Sequence, residues 1–213
     1  HKNVIVVLHN GSPVEMPWAE DVAAILEMYL GGDGVSEATL TLLYGDANPS
    51  GKLAETFPLR LEDNPSYLSF PGENGVSEYR EGIFVGYRYY DKKKMDVRFP
   101  FGHGLSYTTF AYSDFALSAD ALQEGDAVEV SFTLTNTGSR AGAEAVQLYI
   151  CAEGGQVIRP LKELKGFEKV FLQPGESRRV RFTIDKQSLA YYEPRLHDWY
   201  AASGSYAVLI GSS

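Results

Sequence analysis

The chain has 213 residues, a hydrophobic fraction of 44% and a formal net charge of −9. That charge argues against a general binder of nucleic acid or anionic membrane, and no apolar run approaches the roughly 20 residues that span a bilayer. The single cysteine, Cys151, cannot form an internal disulfide and no signal-peptide pattern is visible, so a cytoplasmic location is favoured.

The chain opens on His1-Lys2-Asn3 and at once enters Val4-Ile5-Val6-Val7-Leu8. A continuous Val/Ile run predicts a strand buried on both faces of a parallel sheet, which needs neighbouring strands and covering helices. The chain is therefore expected to start inside a domain. His9-Asn10-Gly11-Ser12-Pro13 follows as a turn-rich loop. Loops beyond the carboxyl ends of strands gather ligands in open α/β sheets, yet His9 and Asn10 read first as a loop histidine and a turn asparagine. A short helical turn is expected over Ala19 to Val22. Ala23–Leu30 fits either a helix or a short buried strand.

Val35, Ala38, Leu42 and Leu43 make a helical face, with Glu37 in the first turn and Gly45 as a natural C-cap. Lys52–Pro58 reads as an alternating strand. Gly31-Gly32-Asp33-Gly34 lacks the G-x-G-x-x-G spacing, and Gly51-Lys52 precedes a strand, so no nucleotide site is expected. Leu59–Ser77 is a long polar loop. From Tyr79 to Thr109 aromatics and glycines crowd together without helical or alternating periodicity, which predicts an extended connector packed across other elements.

From Phe110 onward the period becomes two. Val128, Val130, Phe132 and Leu134 alternate with polar residues. Val146/Leu148/Ile150, Val180/Phe182/Ile184 and Tyr206/Val208/Ile210 repeat the pattern between turn signals such as Pro174-Gly175. About seven strands over roughly 100 residues predict an immunoglobulin-like β-sandwich, and the absence of a Cys…Trp…Cys pattern favours the fibronectin type. The fold class is thus an α/β partial sandwich domain followed by an all-β fibronectin type III-like sandwich, divided as 1–77, 78–109 and 110–213.

Four ordered blocks carry a resemblance: VIVVLHNGSPVEMPW (4–18), LYGDANPSGKLAETFP (43–58), YREGIFVGYRYYD (79–91) and FPFGHGLSYTTF (99–110). With PLKELKGFEKVFLQPGES (160–177) and SYAVLIGSS (205–213), the chain closely resembles glycoside hydrolase family 3, most of all bacterial β-glucosidases. The resemblance implies retaining, exo-acting hydrolysis of terminal β-D-glucosyl residues. It also implies a (β/α)8-type barrel, an α/β sandwich domain and a fibronectin type III-like domain. The family's Asp nucleophile comes from the barrel and its Glu acid/base from a point upstream of the block at 4–18, so both are expected outside this chain. By the same analogy Ala24–Leu30 is a strand.

The residues agree that the chain lacks the chemistry. Retaining glycosidases need two carboxyl groups about 5–5.5 Å apart. Glu78 and Glu81 flank Tyr79-Arg80, and in extended chain they point to opposite faces. No His/Cys/Asp cluster has metal-ligand spacing, His103 and Ser106 lack a catalytic context, and no cofactor is expected. The substrate-side candidates are Tyr79, Arg80 and Glu81. The expected partners are a β-glucoside or oligosaccharide, the barrel with the first half of the sandwich domain, and, because a lone Val4–Leu8 strand leaves an open edge, a second copy of the chain. The alternative is a non-catalytic scaffold or carbohydrate-binding module. Trp199 and Tyr200 near Tyr191-Tyr192 are either packed residues or a sugar-stacking platform.

Overall fold

The computed structural model describes residues 1–155 and 157–212; Gln156 and Ser213, both in the predicted third segment, lie outside the described residues. The chain forms two compact units: His1–Ala47 with Lys52–Gly104, and Asn48–Gly51 with Leu105–Ser213. No helix is long and apolar enough to cross a membrane among the described residues.

In the first unit, β1 (Ile5–Leu8) and β2 (Ala24–Glu27) pair in parallel, Ile5 opposite Ala24 and Leu8 opposite Glu27. The ambiguous segment is therefore a strand. Burial on both faces does not follow, because a two-stranded sheet has no inner strand; Ile5 is 53% exposed. The 3-10 turn Ala19–Asp21 falls where a helical turn is expected. Helix α1 (Val35–Tyr44) ends on Gly45 in the left-handed region at φ 81°, with Gly45 N–H donating to the Leu42 carbonyl. The predicted strand over 52–58 is shorter than expected: a bend at Ala54-Glu55 leaves only β3 (Phe57–Pro58).

The connector also differs from expectation. Tyr87–Lys93 is a helix, α2, between Gly86 (φ 54°) and a left-handed Lys94 (φ 53°). Seven residues do not hold a helix by propensity; packing does. Tyr90 is buried and Tyr87 stacks on Phe101 at 4.8 Å between centroids. β4 (Val97–Phe99) then pairs antiparallel with β3, where Phe57 is buried against Phe99. Leu53 exchanges backbone hydrogen bonds with Gly102 and His103, each at 2.8 Å. Residues 78–104 therefore pack inside the first unit.

The second unit is a β-sandwich. One sheet has the order β5 (Phe110–Leu117), β6 (Ala127–Asn136), β9 (Ser177–Asp185), and the other the order β12 (Ser205–Gly211), β7 (Gly142–Glu153), β8 (Glu163–Leu172). All the pairings are antiparallel. The period-two residues read from the sequence form the core: Phe132, Leu134, Val146 and Val180 in one cluster, Val130, Leu148, Ile150 and Ile184 in the next. Helix α3 (Lys186–Leu189) starts from an Asp185 capping box and leads to a hairpin of β10 (Tyr191–Glu193) and β11 (Asp198–Tyr200).

Asn48 belongs to this unit. Its Oδ1 accepts from Ser106 Oγ (2.9 Å) and Tyr107 N–H (2.8 Å), and its Nδ2 donates to the Ala141 carbonyl (2.9 Å). Gly142 is required beside it, since an added Cβ would stand 2.6 Å from Asn48 Nδ2.

Candidate functional site

The candidates Tyr79, Arg80 and Glu81 open a turn that precedes α2. Phe84 N–H donates to the Glu81 carbonyl at 3.0 Å, and Gly82 supplies φ 57°. Tyr79 is 83% exposed. Arg80 pairs with Glu78, both largely exposed. Glu81 differs from both: its Oε2 is buried and has no hydrogen-bond partner among the described residues. The turn thus presents an aromatic ring and an ion-paired guanidinium outward and aims one carboxylate oxygen inward.

A second polar group lies beyond the carboxyl ends of β1 and β2. His9 is exposed, and Asn10 Nδ2 donates to the Ser12 carbonyl at 2.8 Å, a turn contact as the sequence suggests. Beside the next strand end, Glu27 Oε1 accepts from Tyr29 N–H at 2.8 Å, and Tyr29 adopts φ 48°. Glu55, in the bend before β3, joins them. Burial pushes the Tyr29 phenol well above its ordinary value, and the charges of Glu55 and Glu27 add to that. Burial likewise raises the Glu55 carboxyl; Tyr29 opposes the rise and Glu27 adds to it. Tyr29 faces Glu55 without closing a hydrogen bond of ordinary geometry, and its hydroxyl, Asn10 Oδ1, Glu27 Oε2 and the neighbouring Thr56 Oγ1 are buried without hydrogen-bond partners among the described residues. Sequence reading missed this cluster because Glu27 and Glu55 are far apart in the chain. The only local signal was their position, one at a strand end and one in a bend.

Other candidates resolve into structure. His103 stacks on Phe99 (5.0 Å), and burial, with the charge of Lys52 in addition, lowers its imidazole pKa. Ser106 is committed to Asn48. The Cys151 thiol is pushed up by burial, which keeps it a thiol rather than a nucleophile. Within the basic cluster, Arg159 is buried, bound to Glu163 (2.7 Å) and to the Leu189 carbonyl (2.8 Å). A cavity of about 730 Å3 at one end of the sandwich is lined by Leu122, Val128, Ile184 and Tyr206, with Glu124 and Lys186 paired at 2.6 Å. Lys186 holds the Glu124 carboxyl low, the opposite of what a general acid needs. Among the described residues no group of three or more His, Cys, Asp or Glu side chains could hold a metal.

Comparison with known families matches residues 1–107 to the glycosyl hydrolase family 3 C-terminal domain and residues 144–213 to a fibronectin type III-like domain. Thermostable β-glucosidase B of Acetivibrio thermocellus is 54% identical over 211 residues, covering 99% of this chain and 28% of that protein. Among solved structures, the β-glucosidase of Kluyveromyces marxianus in complex with glucose superposes with a TM-score of 0.92 at 44% identity, covering 98% of this chain and 25% of that one. β-Glucosidase 3B of Thermotoga neapolitana in complex with glucose gives 0.90 at 42% identity, covering 99% and 29%. The chain spans between a quarter and a third of the length of these relatives.

Proposed function

Because the chain belongs to glycosyl hydrolase family 3, matching its C-terminal and fibronectin type III-like domains, we propose that it serves as the C-terminal portion of a retaining, exo-acting β-glucosidase. The substrate is a terminal β-D-glucosyl residue, and the nucleophile and acid/base are supplied by the rest of the enzyme. The observation that carries this reading is the match of 99% of this chain to 28% of a β-glucosidase at 54% identity.

The chain's own carboxylates agree with a supporting role. A retaining mechanism pairs an ionised nucleophile with a carboxylic acid of raised pKa, both reaching one sugar carbon. Glu78 is taken by Arg80 and Glu163 by Arg159 and Lys165. Glu55 has the raised pKa, but its neighbours are Tyr29 and Glu27 in a partly buried cluster. Within that cluster Glu27 Oε1 accepts from Tyr29 N–H, a contact that braces the end of β2.

Tyr79, Arg80 and Glu81 are the substrate-side residues of the chain in this reading. Tyr79 offers an exposed ring to the leaving group, and Arg80 is held in place by Glu78. Tyr79→Ala in the complete enzyme is expected to raise KM for an aryl β-D-glucoside several-fold, about 1 kcal/mol of lost contact, with kcat little changed. An unchanged KM would remove Tyr79 from the site.

The role of the chain is tested by replacing the C-terminal part of the Acetivibrio thermocellus enzyme with these 213 residues. A folded chimera that hydrolyses p-nitrophenyl β-D-glucoside near the parental rate is expected. A folded chimera without hydrolysis would overturn the reading.

A further inference from the structure

The hairpin β10–β11 carries two aromatic pairs, one on each face. Tyr191 lies opposite Tyr200 and Tyr192 opposite Trp199 in the strand register, so each pair shares a face. The inner pair is anchored through Tyr191: Tyr191 and Tyr200, the latter 42% exposed, meet edge to face at 5.9 Å, and the guanidinium of Arg159 sits 5.6 Å above the Tyr191 ring. Arg159 is itself fixed by Glu163 and the Leu189 carbonyl. The outer pair has no such cover. Tyr192 is 50% and Trp199 53% exposed, their centroids 6.0 Å apart and their planes at 80°.

Leaving two such rings in water forgoes the burial of large apolar surfaces, each about 150–250 Å2 when fully covered, and Tyr and Trp are enriched at binding interfaces. The charge around the patch selects the ligand. Arg195 is neutralised by Glu193 at 2.9 Å, and Asp198 Oδ1 accepts from Trp199 N–H at 2.7 Å. Arg195 and Glu193 thus offset one another, and Asp198 keeps its charge but, by strand alternation, lies on the Tyr191–Tyr200 face. A chain of net charge −9 repels polyanions, and Tyr192 and Trp199 carry no formal charge on the face they share. What complements it is an uncharged molecule with a C–H-rich face and a rim of hydroxyls. Perpendicular rings form a corner: a pyranose laid on one ring meets the edge of the other.

We propose that the Tyr192–Trp199 corner is a stacking site for a glucan chain of several β-linked glucosyl units. The identity of the sugar rests on the glucoside-hydrolysing reading above; the geometry of the site does not. The inner pair sets the hairpin in place, so the corner is rigid before ligand arrives and loses little freedom on binding.

The chain has two tryptophans, Trp18 and Trp199, so Trp18→Phe leaves Trp199 as the sole reporter. Titration of this variant with cellohexaose is expected to give a saturable blue shift of its emission. Adding Tyr192→Ala is expected to weaken the affinity by at least about tenfold. Calorimetric titration of Trp199→Ala, checked for cooperative thermal unfolding, is expected to show the same loss. Tyr192→Ala retains the reporter if Trp199→Ala fails to fold. A flat titration, an affinity unmoved by either substitution, glucose binding as tightly as cellohexaose, or a shift that tracks protein concentration without sugar would each overturn the site. Hydrolysis by the chimera with a flat titration overturns this site alone; a normal titration with an inert chimera overturns the hydrolytic reading alone.

Discussion

Asn136 is fully buried in the second unit, and its amide is saturated. Oδ1 accepts from Thr108 Oγ1 (2.7 Å) and Gly138 N–H (3.1 Å), while Nδ2 donates to the carbonyls of Arg140 (2.8 Å) and Leu172 (3.1 Å). Asn136→Ala strands all four partners and is expected to cost about 3 kcal/mol, read as a lowered denaturant midpoint; a loss below about 1 kcal/mol would show that water replaces the amide. His103 makes a prediction of opposite kind. Its pKa is lowered in the fold, so the unfolded chain binds the extra proton and stability falls as pH drops through the ordinary histidine range. His103→Phe, which preserves the stack on Phe99, is expected to flatten that fall in the first unit between about pH 7 and pH 5. An unchanged acid profile would assign the fall to other groups.

At the level of elements, what was legible followed from local rules. Gly45 ends α1 because a left-handed C-cap favours glycine, and alternating residues made four long strands of the sandwich, β6, β7, β9 and β12, readable. What escaped was decided by distant partners. Helix α2 exists because Tyr90 is buried and Tyr87 meets Phe101, and no capping side chain announces it. The strand at 52–58 shortens because only Phe57-Pro58 finds β4. The Glu27–Tyr29–Glu55 cluster was hidden because the bend at Glu55 is set by tertiary pairing.

Edge strands carry another prediction. β9 bears Arg178, Arg179 and Arg181, β8 bears Lys165 and Lys169, and β5 is broken by a bulge at left-handed Asp114. The row of β12 opposite the core is Ser205, Ala207, Leu209 and Gly211, with no charge to block strand addition. Leu209→Lys is expected to reduce concentration-dependent association in light scattering. Identical behaviour of variant and parent would place the association elsewhere.

For the whole molecule, the two units differ in how well they are filled. The sandwich has two contiguous clusters of buried residues, whereas the buried apolar side chains of the first unit are Met16, Phe57 and Tyr90 among the described residues. The first unit leaves Ile5, Leu30, Leu40 and Tyr44 exposed, and the relatives are three to four times longer than this chain. The proposed role of this chain is to support, within a β-glucosidase, chemistry performed elsewhere. Its most direct test is the rate of aryl β-D-glucoside hydrolysis by the purified chain alone. The predicted result is no turnover above the uncatalysed rate; turnover that follows the chain through successive purification steps and disappears with a single carboxylate substitution would contradict it.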